Sequence, residues 1–415
     1  MISRFPCRAP LWRALGLTCL LVGSPGLHAL EFEEAVALAE RQSPGLAAQA
    51  SAVAAARHQA EGAHRLPAPR LAVGVENLPI SGMDRWSLSR DFMTMQRLAL
   101  MQDIPNQGLR DARRQGAEAR AERDQAGQEL QRRQLRLALL LAWQAVQRGE
   151  QRVALLAELL AENQRLIDSL PALVSGGTAT AADLLMARQE RLMLSDRDDE
   201  ARRDIAKARA ALRRWLGERA AEPLAALAPL PERDPNALRE RWLRHVELAA
   251  FPAMLRMAQS ELREVDAEDR GDWSWELAYN RRGRQWGDMV SFQLSFALPW
   301  DRKSRLQSQL SGKQRELERV EQERQEMQRR LLQSLDEQLA EQATLTRQIE
   351  RQSQLILPLV RQRTELSLSS YQAARGSLPE LLSARAAVLE ARLREIDLMA
   401  AQDALRAQLE TLILE

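Results

Sequence analysis

Four methionines lie in or beside one predicted hairpin of the sequence, and they are the residues most suited to metal chemistry. They are Met83, Met93, Met95 and Met101. Thioether sulfurs bind soft ions such as Cu(I) or Ag(I), so a transient ligand set for such an ion is one interpretation. The simpler interpretation is packing or lipid contact, because methionine fills irregular apolar surface readily. We favour the simpler one and assign no metal site here.

Other side chains with reactive chemistry are few. His58 and His64 are six residues apart on a predicted helix, which places them on different faces rather than at the spacing of a metal-binding pair. We interpret both, together with His245, as structural or exposed residues. The sequence contains no G-x-S-x-G motif, no phosphate-binding glycine-rich loop and no His–Cys set. It therefore predicts neither an enzyme nor a bound cofactor.

Composition indicates long helices rather than compact domains. Of the 415 residues, 28% are charged and only 4% are aromatic, and alanine, leucine, arginine, glutamine and glutamate dominate. This bias is typical of helices that pack side by side. The formal net charge is only +2, so charge gives no reason to expect a nucleic-acid partner.

The first 29 residues have the pattern of an export signal. Three arginines by residue 13 precede a short apolar run at residues 15–22, and Ala29 is a small residue at the expected cleavage point. The apolar run is shorter than the ~20 residues that a membrane-spanning helix needs. Both cysteines, Cys7 and Cys19, lie inside this segment, so we expect the exported chain to have no thiol.

The rest of the sequence is an internal repeat, with copies at residues 30–217 and 236–415 and a proline-rich linker at 218–235. Each copy predicts a short helix, a restart at a proline, two strands, a long charged helix and a final helix. The predicted strands are about 70–79, 94–105, 273–280 and 289–299; the long helices are about 108–170 and 302–374; the final helices are about 180–216 and 378–414.

The long helices set the size of the molecule. A helix over residues 108–170 is about 90 Å long, which does not fit inside a compact domain. Its apolar residues recur at i, i+3 and i+4, so we expect it to pack lengthwise against other helices. In the second copy Pro358 should kink the long helix locally.

The two strands of the second copy alternate strictly between apolar and small or polar residues. One apolar side consists of Val290, Phe292, Leu294, Phe296 and Leu298, and the other of Trp273, Trp275, Leu277 and Tyr279. This pattern is typical of membrane-barrel strands, although half-buried strands of soluble proteins also alternate. The concentration of aromatic residues on these strands favours the membrane interpretation. The first-copy strands alternate less clearly, and one of them contains Arg97.

Four strands are too few to close a barrel in a bilayer, where the smallest barrels have about eight. An open strand edge is not tolerated in lipid, so copies of the chain must assemble. Two copies give a barrel filled by side chains, whereas three give twelve strands and a lumen. We therefore expect a mixed α and β fold: a trimeric outer-membrane β-barrel, four strands per chain, continued by a long periplasmic α-helical barrel.

Three features together resemble the TolC family of outer-membrane efflux channels. They are the two-fold repeat, the strand–proline–helix transitions, and the paired segments in which Gly177 and Gly376 are followed by Asp-Leu-Leu and Glu-Leu-Leu. Residues 76–105 are similar to the heavy-metal branch of that family. The resemblance implies a homotrimer in outer-membrane lipid that works with a periplasmic adaptor and an inner-membrane transporter to export heavy-metal cations. Export of drugs or other organic solutes, and a soluble periplasmic coiled-coil adaptor, are the alternatives.

The same resemblance places Asp183 and Glu380 near the periplasmic tip of the channel. Three copies of Glu380 would form a carboxylate ring that constricts the pore and favours cations. Asp183 is the weaker candidate for such a ring. Both acids also stand where a carboxylate complements the dipole of a helix N-terminus, which is the alternative interpretation.

Overall fold

The computed structural model describes residues 29–177, 179–231, 233–268, 271–296, 302–373 and 375–411. Apart from Ala29, the predicted export signal lies outside these residues, and so does Pro299, which we expected to end the fourth strand. The helices are α1 Phe32–Gln42, α2 Pro44–Gly62, α3 Gln107–Ser175, α4 Ala181–Leu216, α5 Pro235–Arg241, α6 Phe251–Glu268, α7 Arg302–Arg351, α8 Leu357–Gln372 and α9 Leu378–Thr411. The strands are β1 Arg70–Glu76, β2 Met95–Ile104, β3 Trp273–Arg281 and β4 Met289–Phe296.

The order of elements confirms the predicted fold class of long helices with four strands in a repeated arrangement. The first copy runs α2, β1, β2, α3 and α4, and the second runs α6, β3, β4, α7 with α8, and α9. In each copy a long helix follows the second strand and ends at a tight turn. The sheet and the two turns therefore lie at opposite ends of the long helices, and α3 alone, with 69 residues, is about 100 Å long.

Two prolines act differently within the long helices. Helix α3 does not stop before Pro171, as our boundary near residue 170 implied, but continues through it to Ser175, because Leu170 and Leu173 pack into a hydrophobic cluster there. Pro358 follows a π-helical turn, residues 352–356, in which Gln352 is buried and donates a hydrogen bond to the carbonyl of Ala391 on α9 at 2.8 Å. The π-turn accommodates the proline, which has no N–H to donate.

All four strands form one antiparallel sheet in the order β1, β2, β3, β4. Facing residues share a side of the sheet, so the register defines two faces. The apolar face contains Leu71, Val73 and Val75 on β1; Leu98, Leu100 and Ile104 on β2; Trp273, Trp275, Leu277 and Tyr279 on β3; and Val290, Phe292, Leu294 and Phe296 on β4. Three polar residues, Gln96, Gln102 and Arg281, share this side. The register thus joins the weakly alternating first-copy strands to the same face as the aromatic second-copy strands.

Among the described residues, no helix combines the length and the apolar character that crossing a membrane requires.

The largest buried cluster lies near the middle of α3, where α1, α4 and the linker meet it. Trp143 is fully buried there, packs edge to face on Phe32 with ring centroids 5.5 Å apart, and donates its indole N–H to the carbonyl of Ala225 at 3.1 Å. Close approach of α4 requires a glycine at position 149, because a Cβ there would lie 2.5 Å from Cγ1 of Ile205. This cluster fixes the two helices of the first copy to each other and to the linker.

Replacing Trp143 should destabilise the whole helical part of the molecule. We expect Trp143→Ala to cost about 3–5 kcal/mol, because it leaves a cavity. The carbonyl of Ala225 keeps its hydrogen bond from the side chain of Gln147 at 2.7 Å. Trp143→Phe keeps most of the ring volume and should cost clearly less. Thermal unfolding followed by circular dichroism measures the stability of both variants. An equal loss of stability in the two would show that the lost side-chain volume does not determine the cost.

Candidate functional site

Asp183 lies in the turn between α3 and α4, where it closes a capping box. Its backbone N–H donates to the Thr180 hydroxyl at 3.2 Å, and its carboxylate accepts the Thr180 backbone N–H at 2.7 Å. The Thr180 hydroxyl lies 2.8 Å from the same carboxylate oxygen. The side chain and the backbone N–H of Asp183 thus cap the start of α4, as expected for an acidic residue in the first turn of a helix.

Glu380 occupies the equivalent place at the start of α9 but is more weakly held. Its carboxylate accepts the backbone N–H of Ser377 at 3.3 Å, and its side chain is exposed. It lines a shallow cavity of about 420 Å³ together with Gln362 and Arg363 on α8. Of the two acids, Glu380 is therefore the one whose carboxylate is free to face solvent and solutes.

The two turns lie together rather than apart. Leu170 and Ala187 of the first copy share one buried cluster with Leu378 and Leu381 of the second. Tyr371, at the end of α8, packs against this cluster. Burial raises the pKa of the Tyr371 hydroxyl, and the negative charge of Asp183 raises it further. The structure thus brings the two predicted tip segments into a single end of the molecule, which we call the tip.

A layer of polar side chains lies between the helices near the tip, and it was not predicted from the sequence. Asn163 on α3 is buried and donates its side-chain amide to Glu190 on α4 at 3.1 Å, while its own side-chain oxygen has no partner within the described chain. Burial raises the pKa of Glu190, and Arg385 on α9 and the Asn163 hydrogen bond oppose that rise. Asn163 stands in an apolar stripe of α3 between Leu156 and Leu170, and this break in pattern was the available signal.

The polar face of the sheet carries a second charged group. Arg97 on β2 donates one guanidinium nitrogen to Glu76 on β1 and the other to Glu276 on β3. Beside it, Arg70 and Asp103 form an ion pair at 2.6 Å. Arg97, which made β2 difficult to interpret from sequence, is therefore a polar-face residue, and Leu98 and Leu100 point to the other face.

The methionines and histidines do not converge on one site. Met95 and Met101 are six residues apart along β2, a separation of roughly 20 Å, and Met83 is almost completely exposed in the loop between β1 and β2. His58 lies 3.4 Å from Glu61 and His64 lies 3.7 Å from Asp111. His245 accepts the backbone N–H of Glu247, and burial lowers its pKa. In the part of the chain that the structure covers, no group of three His, Cys, Asp or Glu residues could hold a metal ion.

Known proteins resemble this chain in structure but not in sequence. No protein-family model and no curated protein sequence matches it. A membrane protein from Pseudomonas aeruginosa superimposes with a TM-score of 0.79 at 16% identity, over 92% of this chain and 89% of that one. The outer membrane protein VceC of Vibrio cholerae gives 0.76 at 16% identity, over 92% and 95%. The MtrE outer membrane channel of Neisseria gonorrhoeae gives 0.74 at 14% identity, over 92% and 88%.

The chain has the fold of these membrane proteins. The match covers the sheet and the long helices together, because more than nine-tenths of the chain superimposes. At these identities the likeness fixes the fold alone, and the substrate and partners must be argued from the residues.

The half-buried Glu190 predicts a pH-dependent stability near the tip. Because the folded-state pKa of Glu190 is raised, the folded chain holds a proton that the unfolded chain releases above about pH 4.3, so this residue costs stability as the pH rises. We expect Glu190→Gln to melt at a higher temperature than the parent chain at pH 7.5, and the difference to shrink as the pH falls toward 4. Glu200→Gln, an exposed change on the same helix, is the control and should show no such pH-dependent difference.

Proposed function

We propose that three copies of this chain form the passive outer-membrane exit duct of a tripartite efflux pump. The observation that carries the proposal is the apolar face of the sheet. Two adjacent rows of it are apolar across all four strands: Leu71, Leu100, Leu277 and Phe292, and Val73, Leu98, Tyr279 and Val290. The face is open to solvent in the single chain, where Val73 is 78% and Val290 69% exposed. A patch of this size and composition needs an apolar environment, and lipid is the one that suits a strand with a polar opposite face.

The open edges of the sheet support assembly into a closed barrel. Within the part of the chain that the structure describes, β1 and β4 each have one neighbouring strand, so one edge of each offers its backbone N–H and C=O groups for pairing. Because the four strands alternate in direction, β4 of one copy can pair antiparallel with β1 of the next. Three copies then close twelve strands with a lumen, and no edge remains in lipid.

The helices of three copies would continue this barrel on the periplasmic side, with the tip turned toward the adaptor and the inner-membrane transporter. The fold that the chain shares with outer-membrane channels supports this arrangement. We propose repeat boundaries at 30–217 and 236–415, with the linker at 218–235. An export signal over residues 1–29 would take the chain to this location.

We propose heavy-metal cations as the transported substrate, and drugs or other organic solutes as the alternative. The metal assignment rests on the sequence of residues 76–105 and on the acidic residues of the tip. Transport here needs no resident metal site, because a duct that binds its ion tightly would release it slowly.

Deleting the gene tests location and substrate together. We expect the deletion strain to become sensitive to one or more heavy metals, and the chain to fractionate with detergent-extracted outer membrane in the complemented strain. Sensitivity to drugs but not to metals would replace the metal assignment with the organic-solute alternative. Recovery in the soluble periplasm would overturn the channel itself and favour the adaptor class.

Glu380 should influence which ions pass the tip. In planar bilayers, we expect Glu380→Gln to reduce the cation preference measured by the reversal potential in a salt gradient, because three like charges at one constriction are removed. Asp183→Asn is the matched comparison, since it removes the charge of the acid that is held in the capping box, and it should change selectivity less. An unchanged reversal potential in Glu380→Gln would exclude the proposed carboxylate ring.

A further inference from the structure

We propose that Glu76, Arg97 and Glu276 form a charge filter on the polar face of the sheet, at the level of the membrane, which favours cations over anions. We call these three residues the strand cluster. The inference rests on the proposed function, because it takes the polar face as the wall of the lumen. It adds a second ion-selective region, at the opposite end of the molecule from the tip and about 100 Å away along α3.

The position of the strand cluster is set by the register of three strands. Arg97 on β2 faces Gly74 on β1 and Asn280 on β3. The next row of the polar face consists of Ala72, Ala99, Ala278 and Ser291. This row of short residues separates Arg97 from Glu276, which lies between Met101 and Gln293 in the row beyond. The guanidinium can therefore reach across it to the carboxylate of Glu276.

The charges of the strand cluster do not cancel. One guanidinium is shared between two carboxylates, so each chain keeps one unit of negative charge there. The other charged residues on the described part of this face are Arg70 and Asp103, which pair with each other. The polar face therefore carries a single net negative charge, and it is located at the strand cluster.

Partial burial gives that charge more influence than it would have on an open surface. The side chain of Glu276 is 16% exposed and that of Arg97 is 30% exposed. The Nε of Arg97 is buried and has no acceptor in the described structure, so the guanidinium is directed at the two carboxylates alone. A charge set in a low-dielectric wall is less screened by water, and a lumen lined by three copies would focus their field.

Arg97 acts as a positioning residue in this arrangement. It holds both carboxylates against the wall from the strand between them, so that they line the lumen without closing it. Removing Arg97 should make the cluster more negative, whereas removing the two carboxylates should leave an uncompensated positive charge. These opposite signs give the proposal a test that loss of folding cannot imitate.

Gln293 offers a reporter of the local potential. It lies on β4 directly across from Glu276, on the same face, and is exposed. Both cysteines of the sequence lie in the predicted export signal, so Gln293→Cys would introduce a single reactive thiol. Thiol-specific methanethiosulfonate reagents of similar size exist in cationic and anionic forms, and the ratio of their reaction rates reads the sign of the nearby charge. Reagents added from outside reach this position whether or not the tip is open.

The experiment measures this ratio on the full chain in outer-membrane vesicles. We expect Gln293→Cys to show a higher ratio of cationic to anionic reaction rates than free cysteine shows in the same buffer. Glu76→Gln with Glu276→Gln should lower the ratio at position 293 about tenfold at low salt, and Arg97→Gln should raise it. The paired change Arg70→Gln with Asp103→Asn removes an ion pair of the same face without changing net charge, and should leave the ratio unaltered.

Two contrary results have different meanings. If position 293 reacts but the ratio is the same in all cluster variants, the strand cluster is not a filter, while the duct proposal stands. If position 293 reacts with neither reagent in vesicles but does so after denaturation, the polar face does not line a water-filled lumen, and the proposed function fails with the inference.

Discussion

A sheet that ends in two open edges cannot be a finished structure in an apolar environment. Among the described residues no further strand pairs with the outer edge of β1 or of β4. In water the N–H and C=O groups of such an edge bond to solvent, but in lipid each unsatisfied group costs several kcal/mol. In the proposed barrel, β4 of one copy would pair with β1 of the next and so satisfy both edges. The long helices then only have to follow the strands from which they start.

The sheet and the tip lie at opposite ends of the molecule. At one end the sheet presents an apolar surface and a polar surface with the strand cluster, and at the other end the tip holds two acidic residues near the helix starts. Between them the Trp143 cluster ties the helices of the first copy to the linker. Because the two ends share no side chains, a change at one end should leave the side-chain contacts of the other end in place.

Much of the fold could be predicted because apolar residues recur with the period of a strand or of a helix along most of the sequence. Strict alternation in Val290, Phe292 and Leu294 predicted a strand with one apolar face, and the structure confirms it. The first-copy strand around Arg97 was hard to interpret because a charged residue on the polar face looks like a break in pattern until the register is known. The end of α3 was misplaced because tertiary packing of Leu170 overrides the local effect of Pro171.

The sites were less predictable than the fold. Asp183 and Glu380 look alike in sequence, yet one is held in a complete capping box and the other is exposed. The local sequences differ in that Pro379 precedes Glu380 whereas Ala182 precedes Asp183, but this does not show which carboxylate will cap its helix completely. The Asn163–Glu190 pair depends on which helices become neighbours, and a pairing between two helices is not a property of either one alone.

The π-turn before Pro358 changes how the rod formed by α7 and α8 presents its surfaces. A π-turn accommodates one extra residue, and each residue of a helix advances the side-chain direction by about 100°. Leu345 and Gln352 are buried and seven residues apart, and positions 359 and 366 continue that count, yet the leucines at both of these positions are largely exposed. Helices α7 and α8 thus present their apolar stripes in different directions, although they form one continuous element. A neighbouring helix that packs along α7 must therefore shift sideways to pack along α8.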